Sequence, residues 1–311
     1  MNNKYPLVSV VINCYNGERF LKEAINSVYS QSYNNWEIIF CDNSSTDNSS
    51  LIAKSYDNRL RYYYNKNNVP LGEARNKAVT FCKGDFICFL DTDDIMCPNK
   101  LECQLPLFKN KKVGIVSSQT FVFKDSKVLC IRPDYKKIPV GNIFSKIIEN
   151  YFLSIDSVII RKTAFDNILG GYIFNEDFKL SEEADLFTRI LFNWHFDFYP
   201  APLSKRRIHS NNLTKNNINE LINENIKFIE NLYYLIPNFK IKYKKSIRKN
   251  KLWILNIKAV YLIQSKKNNE ARKLLKNYIF YNSKSFFLFL ILLFPKKIAF
   301  YIFDLFKKTN Y

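Results

Sequence analysis

Two hydrophobic periods alternate along the first hundred residues. Residues 7–12 (LVSVVI) form an apolar run, the pattern of a strand buried on both faces. Leu21, Ala24, Ile25 and Val28 then recur at i, i+3, i+4 and i+7, which predicts an amphipathic helix. Residues 36–41 (WEIIFC), 60–64 (LRYYY) and 86–90 (FICFL) repeat the strand pattern. Between them, Ser44-Ser45-Thr46-Asp47 predicts a capped helix start, and residues 73–82 predict a helix ended by Gly84. The β-α-β-α order predicts an α/β fold, a mostly parallel sheet with helices on both faces.

Further along, residues 113–123, 127–132 and 157–161 read as strands and 182–192 as an amphipathic helix. From Asn216 strand signals fade, and residues 252–265 and 269–281 read as a helical hairpin. A boundary near residue 214 divides a domain at 1–213 from a helical C-terminal region at 214–311.

Charge sharpens that division. The chain carries +19 at pH 7, and residues 214–311 hold 20 basic against five acidic side chains, +15 of the total. Such a segment predicts an anionic partner (phospholipid, nucleic acid or a phosphate-bearing acceptor), the plain alternative being AT-rich coding bias, which enriches Lys and Asn alike. The longest apolar run, 286–294, is stopped by Pro295-Lys296-Lys297, and 298–306 is interrupted by Asp304. Neither reaches the roughly 18 residues of a spanning helix. Each suits an interfacial position with its lysines at the headgroups, or packing against the protein or a second copy. The chain opens on a short polar lead, not a signal peptide. Seven scattered cysteines without a C-x-x-C pair, with two histidines, argue against a zinc site and read as reduced thiols. The expected setting is cytoplasmic, peripheral at the inner face of the membrane.

Polar residues gather after the strands. Asn13-Cys14-Tyr15-Asn16 follows the first, Asp42-Asn43-Ser44-Ser45 the second, and Asp91-Thr92-Asp93-Asp94 the fourth. Ligands of open parallel sheets bind beyond the carboxyl ends of the strands. Three acids at one strand end repel one another unless a hard cation joins them, which points to Mn2+ or Mg2+. Neither G-x-G-x-x-G nor G-x-x-x-x-G-K occurs, so no dinucleotide or Walker phosphate loop is present. A nucleotidyltransferase would fit the acids and cation, but it wants a basic phosphate-binding turn after the first strand. A nucleic-acid-binding protein would fit the basic tail, but it has no use for FFLFLILLF.

Taken in order, VSVVINCYNGERFLKEAINSVYSQSY, WEIIFCDNSSTD, PLGEARNKA, GDFICFLDTDD, GGYIFNEDF, SEEADLFTRI and RRIHSNNLT resemble the family 2 inverting glycosyltransferases over residues 6–213. The resemblance implies a GT-A fold, a nucleotide-sugar donor (most often a UDP-sugar), a glycan or lipid-linked acceptor and no nucleic acid. Tyr15 stands where the family stacks an aromatic on uracil, with Asn13 beside it. Asp42 matches the acid that reads the base, whereas Asn43 and Ser44 depart from the family's second Asp and Gly. Arg75 matches an arginine near the nucleotide. Asp91 and Asp93 match the D-x-D, Asp93 as a metal ligand and Asp91 at the ribose or the metal and its water, with Asp94 supporting the loop. Glu183, preceded by Glu182, stands at the general base, where the family usually has Asp. Arg207 and His209 match a basic loop on the diphosphate, His209 as a possible metal ligand. Structural alternatives accompany these: strand-end packing for Tyr15, a cap for Asp42, a helix-dipole partner for Glu182 and Glu183, a loop histidine for His209. Asp185 reads as a buried partner, and acceptor contacts fall to residues 119–171.

Overall fold

A computed structural model describes residues 5–134, 138–210, 212, 217–278, 280–281 and 283–294. The chain divides into two compact units, Met1–Phe144 with Phe152–Asn211, and Ser145–Tyr151 with Asn212–Tyr311.

In the first unit the described strands form one mixed sheet. Its strands are β1 (Val8–Cys14), β2 (Trp36–Asp42), β3 (Leu60–Tyr64), β4 (Phe86–Phe89), β5 (Ile95–Met96), β6 (Val113–Lys124), β7 (Lys127–Arg132), β8 (Ile159–Arg161) and β9 (His195–Arg207). They run in the order β3-β2-β1-β4-β8-β6-β9-β5, with β7 on β6. The β3-β2-β1-β4 half is parallel, as the alternation predicts. β1 and β2 are almost wholly buried because helices cover both faces. On α1 (Glu18–Tyr29) the predicted stripe Leu21, Ala24, Ile25 and Val28 enters the core. α3 (Leu71–Thr80) starts two residues before its predicted limit, at the residue after Pro70. Gly84 lets the chain pass close to β1: a Cβ there would lie 2.6 Å from the Ser9 nitrogen.

Two local expectations change, and one long strand was not expected at all. Helix α2 (Ser49–Lys54) begins after the serine-rich turn, not in it. The turn's groups are engaged elsewhere: Ser45 N–H donates to Asp42 (2.8 Å), Thr46 N–H to Asn16 (2.8 Å), and Glu18 N–H to Asp47 (2.9 Å). Ser157, expected to open the strand at 157–161, instead closes a 3-10 turn (Ile155–Ser157), and β8 begins at Ile159. β9, a 13-residue strand, lacks a clean alternation and contains Pro200 and Pro202. It pairs in parallel with β6 through register shifts near Ser118 and Gln119, which absorb the prolines.

Helices α4 (Lys100–Gln104), α5 (Phe144–Glu149) and α6 (Glu182–Asn193) follow α3 along the chain, and the second unit is helical: α7 (Ile218–Leu235), α8 (Phe239–Lys242), α9 (Lys244–Gln264), α10 (Asn268–Lys276) and α11 (Ser283–Ile291). The hairpin expected at 252–265 and 269–281 is α9 and α10, with α9 starting earlier and α10 ending earlier. Its core joins Leu255, Ala259, Leu262, Ala271, Leu275, Leu288 and Leu292. Residues 145–151 also belong here. Lys249 Nζ donates to Glu149 at 2.8 Å, and Asn250 donates to the Ile148 carbonyl at 2.9 Å. Among the described residues no helix is long and apolar enough to cross a membrane. The apolar stretch at 298–306 and Lys296, Lys297, Lys307 and Lys308 lie outside the described residues.

Candidate active site

Parallel pairing ends β1 and β2 level with each other, Cys14 opposite Asp42, and carries the turn after β4 to the same edge. Asp42 is wholly buried. Its carboxylate accepts from Tyr62 Oη at 2.7 Å and from Ser45 N–H at 2.8 Å. Asn43 fastens the 65–69 segment: its amide donates to the Val69 carbonyl (2.8 Å) and accepts from Asn65 (3.1 Å). Ser44, which replaces the resembled family's glycine, sits at φ 70. The Tyr15 ring is 54% exposed. Both polar atoms of the Asn13 amide are buried without a hydrogen-bond partner, an arrangement that a bound polar ligand would satisfy.

A buried arginine joins two parts of the chain that are distant in sequence. Arg75, on α3, donates to Asp91 Oδ1 at 2.9 Å and to Glu182 Oε1 at 2.7 Å. Arg75 and Glu182 are each 3% exposed at the side chain, and the guanidinium lies over the Phe89 and Phe174 rings. Glu182 and Glu183 open α6 (Glu182–Asn193), whose amino-terminal dipole favours acids. Burial, and then the neighbouring Glu182, push the Glu183 carboxyl up to about 8 against the pull of Arg75. A carboxyl there keeps enough basicity to take a proton near neutral pH.

The remaining acids face β9. His209 Nε2 lies 2.8 Å from Asp93 Oδ2. Arg207 donates through Nε to the Asp93 carbonyl (3.0 Å) and through its backbone N–H to Asp94 Oδ1 (2.9 Å), and it pairs with Glu23. Asp94 is buried, so desolvation first, and then Asp156, Asp93 and Asp91, raise its carboxyl well above the ordinary range. Among the described residues no three His, Cys, Asp or Glu side chains form a metal cage by themselves. Asp93 and His209 offer two adjacent donors, which is the protein share expected when phosphate oxygens complete the shell. The seven cysteines are free.

Two polar residues here have no role in the reading of the motifs. Asp156 is fully buried; its Oδ2 accepts from Ser204 (2.6 Å) and Thr120 (2.9 Å) beside the β6–β9 register shift. Arg189, also fully buried, pairs with Asp185 at 2.7 Å and donates to the carbonyls of Leu169, Tyr172 and Ile173. It ties α6 to the loop before it. Its spacing from Asp185, i to i+4, was the available signal; Asp185 is the buried partner expected, and the burial of Arg189 opposite it was not readable.

The family model for glycosyl transferase family 2 matches residues 9–169. An uncharacterized glycosyltransferase of Rickettsia typhi is 31% identical over 230 residues, covering 71% of this chain and 70% of that relative. WfgD of Escherichia coli, a UDP-Glc:alpha-D-GlcNAc-diphosphoundecaprenol beta-1,3-glucosyltransferase, is 28% identical over 56% of this chain and 68% of its own length. The mannosyltransferase PcManGT of Pyrobaculum calidifontis, solved with GDP-Man and Mn2+, has the same fold: TM-score 0.62 at 16% identity, over 98% of this chain and 89% of that one.

Proposed function

Because the chain belongs to glycosyl transferase family 2, we propose that its sheet-edge site moves a sugar from a UDP-sugar to a hydroxyl of a glycan or lipid-linked acceptor, with inversion at the anomeric carbon. The chain is a glycosyltransferase with a GT-A type fold, and the finer reading concerns its donor, acceptor and residues. The nucleotidyltransferase and nucleic-acid alternatives fall away with the family. The observation that carries the reading is the Arg75 bridge, which ties the D-x-D turn to the start of α6, with the raised carboxyl of Glu183 alongside.

Tyr15 stacks on the base, Asp42 and the open Asn13 amide meet its polar edge, and Asp91 meets the ribose. Glu183 takes the proton of the acceptor hydroxyl. The hydroxyl oxygen bonds to the anomeric carbon as the bond to the diphosphate breaks, and the diphosphate leaves with the electron pair. One base on the face opposite the leaving group gives a single displacement. Glu182 keeps Arg75, and through it Asp91, in position. Arg207 opposes the charge that develops on the diphosphate. Mn2+ or Mg2+, when bound by Asp93 and His209, would neutralise further diphosphate charge. The UDP-sugar and lipid-linked acceptor are supported by the E. coli relative, and the divalent cation by the archaeal neighbour. With the basic unit, they support a position at the cytoplasmic face of an anionic membrane.

The test is UDP release and transfer across a panel of UDP-sugars. Glu183→Gln is expected to cut turnover by about 10²–10⁴ and leave donor KM unchanged. An inactive Asp185→Asn beside an active Glu183→Gln would overturn the assignment, as would a product with retained configuration.

A further inference from the structure

The helical unit contains a groove of about 490 Å³ lined by Tyr233, Lys240, Lys244, Ile247, Arg248 and Lys251. Lys244, Arg248 and Lys251 fall at i, i+4 and i+7 along α9, one face of one helix. Among the described residues no carboxylate lines the groove and none of its four cations has an ion-pair partner. Two of them instead rest on aromatic rings: Lys240 Nζ lies 4.8 Å from the Tyr233 ring centre and the Arg248 guanidinium 4.8 Å from that of Tyr281. Four like charges around one groove repel one another, and this repulsion is relieved when a polyanion enters.

What lies beside the groove identifies the polyanion. Tyr281, under Arg248, is itself exposed, and Phe280 next to it is 90% exposed. α11 follows. In α11 and the turn that follows it, Leu288, Ile291 and Leu292 are buried in the core, while Phe286, Leu290, Leu293 and Phe294, at spacings of four, three and one, stay exposed. Packing therefore uses only part of this apolar segment. A free nucleotide or a nucleic acid would match the cations and leave the apolar stripe in water. A bilayer with anionic headgroups matches both, since phosphates meet lysine and arginine while aromatic rings enter the acyl boundary.

We propose that this groove and the exposed stripe of α11 form the surface by which the protein docks on an anionic bilayer, the groove receiving lipid-headgroup phosphate. The inference deepens the membrane position proposed above and rests on it only for its purpose, which is to bring the active site to a lipid-linked acceptor.

The experiment is co-sedimentation of the full chain with vesicles of phosphatidylcholine alone and with an equal share of phosphatidylglycerol, at low and high salt. Binding is expected only with phosphatidylglycerol, weakened by salt. Replacing Lys240, Lys244, Arg248 and Lys251 by Gln is expected to lower partitioning by about 10²–10³-fold, the combined effect of four cations near an anionic surface. Replacing four exposed lysines of the catalytic unit (Lys22, Lys54, Lys109 and Lys111) removes the same charge and is expected to cost under about tenfold. Phe280→Ser with Phe286→Ser is expected to leave a weak, wholly salt-sensitive attachment. Equal losses from both charge sets would reduce the effect to net charge and overturn the proposal. So would a wild-type protein that stays in the supernatant at low salt, or one that duplex DNA displaces from vesicles at equal phosphate. UDP release is read in parallel. If no form releases UDP while vesicle binding follows the groove, the reaction assigned above fails and the docking surface stands.

Discussion

Arg189→Met removes one cation from a wholly buried site, and its cost can be worked from the contacts. The guanidinium pairs with Asp185, both side chains at 0% exposure, and donates to three loop carbonyls. Breaking a buried pair by deleting one partner costs about 3–5 kcal/mol. Met fills much of the volume, so the cavity contribution is small and about 4 kcal/mol remains. The loss also acquires a pH dependence. Burial already holds the Asp185 carboxyl above its ordinary 3.8, and without the cation it rises further. The folded chain then keeps a proton that the unfolded chain releases, so the variant loses stability as pH rises above that ordinary value, until the folded carboxyl also ionises. Urea unfolding at several pH values, on wild type, Arg189→Met and Asp185→Leu/Arg189→Met, checks this. The single variant is expected to unfold more than about 1 M earlier. The double variant, which has no orphaned carboxylate, is expected to recover most of that and lose the pH dependence. A single variant within about 1 kcal/mol of wild type, or a double variant no better than the single, would refute the reasoning.

Two further outcomes follow from the site. With Glu183 held near 8 and required as the free carboxylate, kcat is expected to fall about tenfold per pH unit below that value and level off above it; initial rates of UDP release against pH check this, and Glu183→Gln should flatten the limb. Removing divalent cations with EDTA is expected to abolish transfer and Mn2+ to restore it, while Asp93→Asn weakens Mn2+ binding in the presence of UDP by more than about tenfold, read by calorimetry as well as by rate.

Much of the catalytic unit was written into local pattern. The buried run of β1 and the stripe of α1 report their own surroundings, because side-chain periodicity reflects which face meets the core. The polar clusters after β1, β2 and β4 meet at one edge because parallel strands with the same connection must end together. The basic excess of 214–311 is likewise a property of composition alone. Tertiary structure decided what depends on partners far along the chain. Arg75 meets Glu182 across 107 positions, and no period encodes that. The serine-rich turn could have capped a helix; Asn16, Glu18 and Asp42 claimed its hydrogen-bonding groups instead, moving α2 to Ser49. β9 exists because β6 offers it a ladder, not because its residues alternate. Residues 145–151 join the helical unit through bonds to α9 that neighbouring sequence does not announce. Likewise, which part of the last apolar segment packs and which stays in the open was settled only when α9 and α10 supplied a core for one of its faces. Local sequence fixes how strongly a residue prefers to be buried, while the chain's long-range contacts fix which of the residues with that preference find a partner.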